Sequence, residues 1–244
     1  MLLGALLASV LYAPAHWLTA VMQQDASAGL QFDDVHGTVW DGSARLVLSG
    51  GPGSNDATTL PGRLNWHIRP HWSAIKVDLF ADCCMQRPWL WRVQPRWGGL
   101  RLQLEDSLTQ WPAQWLSGLG TPWNTVQAQG QLLLSTQGLV VQWAEGRMLL
   151  EGRARLDAMQ ISSRLSTLRP MGSYRINLTG APTPGFTLET LEGSLQLSGT
   201  GRWVGSRLRF VGVASAEAQR LDALSNLLNI IGRRDGARSI ITLG

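Results

Sequence analysis

Residues 35–48 read Val-His-Gly-Thr-Val-Trp-Asp-Gly-Ser-Ala-Arg-Leu-Val-Leu. Asp41-Gly42 stands between two short runs that alternate apolar and polar residues. Asp-Gly accepts the positive φ angles of a tight hairpin turn, and the flanking alternation suits strands with one buried face. The stretch predicts a strand, a turn at Asp41-Gly42 and a second strand. A similar string recurs far along the chain, at Gly201-Arg-Trp-Val-Gly-Ser-Arg-Leu-Arg-Phe210. Gly130 and Gly193 each open a Gly-x-Leu-x-Leu run. Either all antiparallel hairpins look alike, or these are stacked hairpins of one long curved sheet. The fold class expected is mainly β, an elongated antiparallel sheet preceded by an N-terminal transmembrane helix and closed by a short amphipathic helix.

Working outward, Gly50–Pro61 is a loop by composition. Leu64–Leu79 alternates on both sides of Pro70, as two strands or one broken edge strand. Leu100, Leu102 and Leu104 alternate with polar residues as a half-buried strand. Trp111–Leu119 reads as one short helix with Pro112 in its first turn. From Thr125 to Asp157, turns expected at Gln137-Gly138 and Glu145-Gly146 give at least three strands. Tyr174–Leu178 is a strand, and a β block runs from Phe186 to Ala214. The period then changes. Leu221, Leu224, Leu227, Leu228 and Ile231 recur at helical spacing, so Glu217–Ile231 is a helix with Ser215 as N-cap and Gly232 as stop. Arg233–Gly236 turns the chain into a last strand, Ser239–Leu243.

Composition narrows the class. The 244 residues are 44% hydrophobic and only 16% charged, which excludes a disordered chain. One stretch alone is long and apolar enough to suggest a span, which excludes a polytopic membrane protein. Met1–Met22 carries no formally charged side chain. Three readings compete for it: an uncleaved signal anchor, a signal peptide cleaved after Ala26-Ser27-Ala28, and a buried helix. The anchor reading puts residues 1–22 in the membrane and 23–244 outside the cytoplasm, with Pro14 and Trp17 at the membrane interface. No Lys or Arg precedes the apolar run.

Net charge is +4, and Lys76 is the single lysine among 21 basic residues. The arginines are scattered and no nucleic-acid module is recognisable, so no nucleic-acid partner is expected. A mildly basic surface suits anionic lipid or an acidic protein. Cys83 and Cys84 are adjacent, and on a strand they would face opposite ways. One buried and one surface thiol is the favoured reading over a vicinal disulfide. His67-x-x-x-His71 has no evident third ligand, so no metal site is expected. No nucleophile, base and orienter assemble, so no catalytic residue and no cofactor is expected.

Tryptophan is the outlier, with 12 Trp against 4 Phe and 2 Tyr. Trp89, Trp91, Trp97, Trp111, Trp115 and Trp123 are interleaved with prolines between residues 83 and 123. They either fill a thin β core or form a partner or groove surface.

Several segments together resemble a known family. They are Pro14-Ala-His-Trp17 after the apolar run, Gly37–Gly42, Pro170-Met-Gly-Ser-Tyr174, Leu191–Leu195 leading into Gly199–Trp203, and above all Leu227–Gly236. The resemblance is to the type II secretion system protein N family and covers nearly the whole chain. It implies a single-pass bacterial inner-membrane protein with a periplasmic β-rich domain. It also implies a non-enzymatic accessory role in protein export, with the inner-membrane platform and the secretin as contacts. The architecture is also similar to AsmA-like envelope proteins. The alternative is therefore a carrier holding lipid or another hydrophobic ligand in a curved β groove.

Overall fold

The computed structural model describes residues 9–24, 29–51, 54, 56–144, 147–180, 184–204 and 207–243. Among these, sixteen strands form one sheet in which every pairing is antiparallel. They are β1 (Leu30–Gly37), β2 (Asp41–Ser49), β3 (Ala57–Thr59), β4 (Leu64–His71), β5 (Ala74–Ala81), β6 (Trp89–Arg96), β7 (Gly99–Leu104) and β8 (Leu108–Pro112), then β9 (Gln129–Ala144), β10 (Arg147–Ser162), β11 (Gly172–Thr179), β12 (Gly185–Gly193), β13 (Leu195–Val204), β14 (Arg207–Ala216), β15 (Arg233–Asp235) and β16 (Arg238–Leu243). Their order is β1-β2-β4-β5-β6-β7-β9-β10-β11-β12-β13-β14-β16-β15, with β3 on β2 and β8 on β9. Nearly every strand follows its neighbour in sequence, which is the array that the hairpin strings predict.

The registers give the sheet two different ends. The β1–β2, β4–β5, β6–β7, β9–β10, β11–β12 and β13–β14 hairpins all reverse at one end, the tip end. Three helical pieces from the second part of the chain gather at the other, the base. They are a 3-10 turn at Ala113–Leu119, the one-turn helix α2 (Trp123–Val126) and α3 (Leu221–Ile231). Alternation leaves one face of the sheet apolar, and at the base these pieces cover it. Leu224, Leu227 and Leu228 of α3 are buried with Val126, Leu132, Met171, Tyr174, Leu195 and Ala214. A second core joins Leu46, Leu60, Leu64, Met85, Trp89, Leu104, Leu139 and Leu150.

The differences from the sequence expectations have physical causes. The first hairpin reverses at Thr38–Trp40, and Asp41-Gly42 already belongs to β2, with Gly37 opposite Gly42. Gly42 is needed for space: a Cβ there would come within 2.5 Å of the Trp66 ring. No turn forms at Gln137-Gly138. β9 and β10 each run through sixteen residues, and Gly138 (φ 56) and Gly152 (φ 82) make a bulge at that point. A bulge absorbs the irregular residues while the ladder continues, so two strands replace the expected three. Trp111 and Pro112 end β8, and only Ala113–Leu119 is helical. Ser215 stays in β14 opposite Gln196 and caps nothing. The helix starts after a 3-10 turn at Ala218–Arg220 without a side-chain cap. Cys83 and Cys84 lie on the turn after β5 and are joined as a disulfide, which corrects the two-thiol reading. A turn does not impose the opposite facing of strand neighbours.

The expected N-terminal span is also revised. Its first eight residues lie outside the described ones. Pro14 interrupts the helix and bridges to Thr38, while Val39 N–H donates to the Ala13 carbonyl (2.8 Å). Helix α1 (Ala15–Gln24) then packs on β1 and β2, burying Ala15 and Thr19, with Ala15 against Ala44 and Trp66. Among the described residues no helix is long and apolar enough to cross a membrane.

The 3-10 turn is clamped. Ser117 Oγ lies 2.8 Å from Thr58 Oγ1, and a Cβ at buried Gly118 would fall 2.2 Å from the Leu48 carbonyl oxygen. Gly118→Ala forces the turn away from β2. It should cost about 1–3 kcal/mol, roughly 2–10 °C in melting temperature, by thermal unfolding. An unchanged midpoint would show that the turn is not held there.

Candidate functional site

The six proline-interleaved tryptophans separate into two groups. Trp89 is buried, donates Nε1–H to the Glu105 carbonyl (2.9 Å) and meets Trp91 edge-on at 5.2 Å. Trp111 stacks on Trp115 at 5.6 Å, donates to Thr109 Oγ1 (2.8 Å) and packs against both cores. Among the described residues, the Nε1 atoms of Trp91 and Trp115 are buried without a hydrogen-bond partner. These four indoles sit on the apolar face of the sheet. Trp97 stands wholly in solvent at the β6–β7 tip (105% exposed), and Trp123 is exposed at the start of α2.

Sequence reading missed Trp72. It is 101% exposed in the two-residue reversal between β4 and β5. The available signal was its place just after Pro70-His71, between two alternating runs. Trp143, opposite Leu100 near the end of β9, is also exposed. Trp40 donates Nε1–H to the Val10 carbonyl (2.8 Å), tying the first hairpin tip to the N-terminal segment. Pro14 is in the Thr38 bridge, and Trp17 is exposed on α1, edge-on to His16.

The charged groups are distributed along strands. On β1, Asp34 accepts from Arg63 Nη1 (2.5 Å) with Arg45 nearby (3.5 Å), and the Arg63 hydrogen bond holds its carboxyl below the usual aspartate range. Asp157 and Arg175 form a two-pronged pair at 2.7 and 2.9 Å. His67 and His71 share β4, but His67 lies 3.3 Å from Asp41, and His71 accepts the Trp72 N–H. Among the described residues no three His, Cys, Asp or Glu side chains gather as a metal site.

Two sets of like charges face each other across strands. Arg69 is opposite Lys76, and Lys76 is opposite Arg92. Arg202 is opposite Arg209. Such pairs oppose sheet formation. Arg69 also reaches Asp78 (2.5 Å), whereas Lys76, Arg92, Arg202 and Arg209 make no ion pair among the described residues.

The arrangement is therefore a pairing scaffold with aromatic and basic tips. The family model for type II secretion system protein N matches residues 28–241, which takes in β1 to β15 and all but the last two residues of β16. The chain belongs to that family. No curated protein and no solved structure matches it. As a protein N, the chain takes part in type II secretion and associates with other components of that system. The family is one of accessory secretion components and is not a known enzyme family. The matched region begins after α1.

Two measurements check this placement. Trp111→Ala removes the ring that joins both cores and should destabilise by about 2 kcal/mol or more, approaching the ~3–5 kcal/mol of a fully buried indole. Trp97→Ala should change stability by less than ~0.5 kcal/mol in the same denaturant titration. Equal losses would contradict the division. In Arg63→Ala the Asp34 pKa should rise toward the ordinary range, read by NMR titration. Its native pKa lies below the unfolded value, so its contribution is present at neutral pH and lost as pH falls through the lowered pKa.

Proposed function

We propose that this chain is a non-enzymatic inner-membrane component of the type II secretion machine that acts by contact. In this reading the residues ahead of the sheet anchor it in the membrane, and the sheet stands in the periplasm. It meets the inner-membrane platform, the secretin, or both. The family match across residues 28–241 carries the reading. The uncharged Met1–Met22 supports the anchor. Because α1 packs on the sheet, the part of Met1–Met22 left for the membrane is the stretch preceding Ala13, about 20 Å if helical and shorter than a full span. The Cys83–Cys84 disulfide supports an oxidising compartment.

The sheet's free edges are poor docking strands. β15 has three charged residues, and β1 carries Asp33 and Asp34 beside a bulge. Side chains at faces and tips are left as the means of contact. Crosslinking in intact envelopes, followed by purification of the full chain, should recover platform proteins or secretin. Recovery of neither sinks the proposal.

A second reading, the hydrophobic-ligand carrier, has one observation in its favour. Toward the tips of β5, β6, β7 and β9 no helix among the described residues covers the apolar face, and Val77, Trp91, Val93, Leu102 and Val141 are half-buried. Native mass spectrometry of the extracted protein without bound lipid would count against it.

A further inference from the structure

The hairpin tips concentrate two things that the sheet itself does not need. One is aromatic surface in solvent. Trp72 and Trp97 are wholly exposed at successive tips, Trp143 is exposed near the third, and Val204 is exposed at the β13–β14 tip beside Trp203. The other is positive charge set against positive charge across strands just behind those tips. Lys76 and Arg92 face each other behind Trp72 and Trp97, Arg96 directly precedes Trp97, and Arg202 faces Arg209 beside Trp203. The like-charge pairs oppose folding, and the bare indoles gain nothing from it.

The direction of the chain supplies the partner. The Val39–Ala13 hydrogen bond and the Pro14–Thr38 bridge hold the N-terminal segment at the tip end of the first hairpin. The chain enters β1 at the opposite end, where Gly29 pairs with Ser49. The described residues just ahead of Ala13 therefore lie at the tip end of the sheet. Val10, Leu11 and Tyr12 there are exposed, and Met1–Tyr12 has no charged side chain.

We propose that the hairpin tips form a membrane-contact rim, with Trp72 and Trp97 seated among the headgroups of an anionic bilayer and Lys76, Arg92, Arg202 and Arg209 facing its phosphates. Indoles favour the membrane–water interface, where the ring is buried and its N–H stays hydrated. From Arg92 to Trp97 is five residues, about 16 Å of strand. Arg202, two residues before the end of β13, lies within the ~10 Å reach of a surface potential at the tips, and Arg92 at its outer limit. An anionic surface beyond the tips also offers the cations counter-charge that the sheet does not supply. The inference goes beyond the secretion role and rests only on the membrane location proposed above.

The test uses the full chain reconstituted into vesicles of phosphatidylcholine with phosphatidylglycerol. The vesicles carry a phosphatidylcholine brominated high on its acyl chains. The Trp72→Phe/Trp97→Phe variant supplies, by subtraction, the emission of these two indoles. That emission should be shifted to the blue, lose most of its intensity to the brominated lipid, and be shielded from aqueous iodide. Lys76→Glu should raise the melting temperature, because it removes a like-charge pair, and yet reduce the quenching. Emission that stays iodide-accessible and unquenched in chain bound to vesicles overturns the rim while leaving the anchor standing. A tip end covered by a protein partner would give that same result. Failure of the chain to associate with vesicles at all overturns both. Quenching indifferent to Lys76→Glu overturns the assignment of the cations to lipid phosphate.

Discussion

A single antiparallel sheet has two faces, and here one of them is apolar with little helix to cover it. This constraint organises the rest of the protein. The helical pieces are short and all of the later ones lie at the base, where α3 and the 3-10 turn cover the sheet. The rest of the apolar surface must be filled by side chains of the strands and their connections. Large side chains do this from few positions, because an indole contributes about 150–250 Å² of contact. Trp89, Trp91, Trp111 and Trp115 serve that purpose, and Trp111 joins the two cores. The tryptophan excess is thus partly the consequence of a wide sheet with thin cover.

Glycine is the counterpart of those rings. Gly42 lies beneath the Trp66 indole, Gly201 beneath Phe186, and Gly199 and Gly212 beneath Phe210. In each case an added Cβ would fall within 3 Å of the ring. Aromatic rings laid across strand glycines restore the cover that a missing side chain removes, and they pin the register. The same device near both ends of the sheet explains why residues 37–46 and 201–210 look alike. Their similarity reports a shared packing solution between hairpins of one array.

Much of this architecture was legible in the sequence. Alternation and glycine spacing identified the hairpin array, and the change of period at Leu221 identified α3. Local turn chemistry was less reliable. Asp41-Gly42 and Gln137-Gly138 have turn composition, but the first is displaced by the ring of Trp66 and the second is absorbed as a bulge. Both outcomes depend on a neighbouring strand, which a local string does not contain. The tips were illegible for the same reason. Trp72 and Trp97 resemble Trp66 and Trp91 in sequence context. They differ only in lying at reversals, and that depends on pairing register.

The tip end is where local and global preferences disagree. Elsewhere several charges are paired across strands with opposite charge: Asp157 with Arg175 and Asp34 with Arg63. At the tips it places Lys76 against Arg92 behind two indoles in solvent, and Arg202 against Arg209 beside the half-buried Trp203. One such pair could be carried at little cost on a surface. Two pairs on strands far apart in the sheet, at the same end and each with aromatic company, make coincidence a weak account. Conflicts of this kind mark functional surfaces, because a sequence chosen for folding alone would remove them. The base is built to hold the fold together, and the tips carry features whose favourable interactions lie outside the chain.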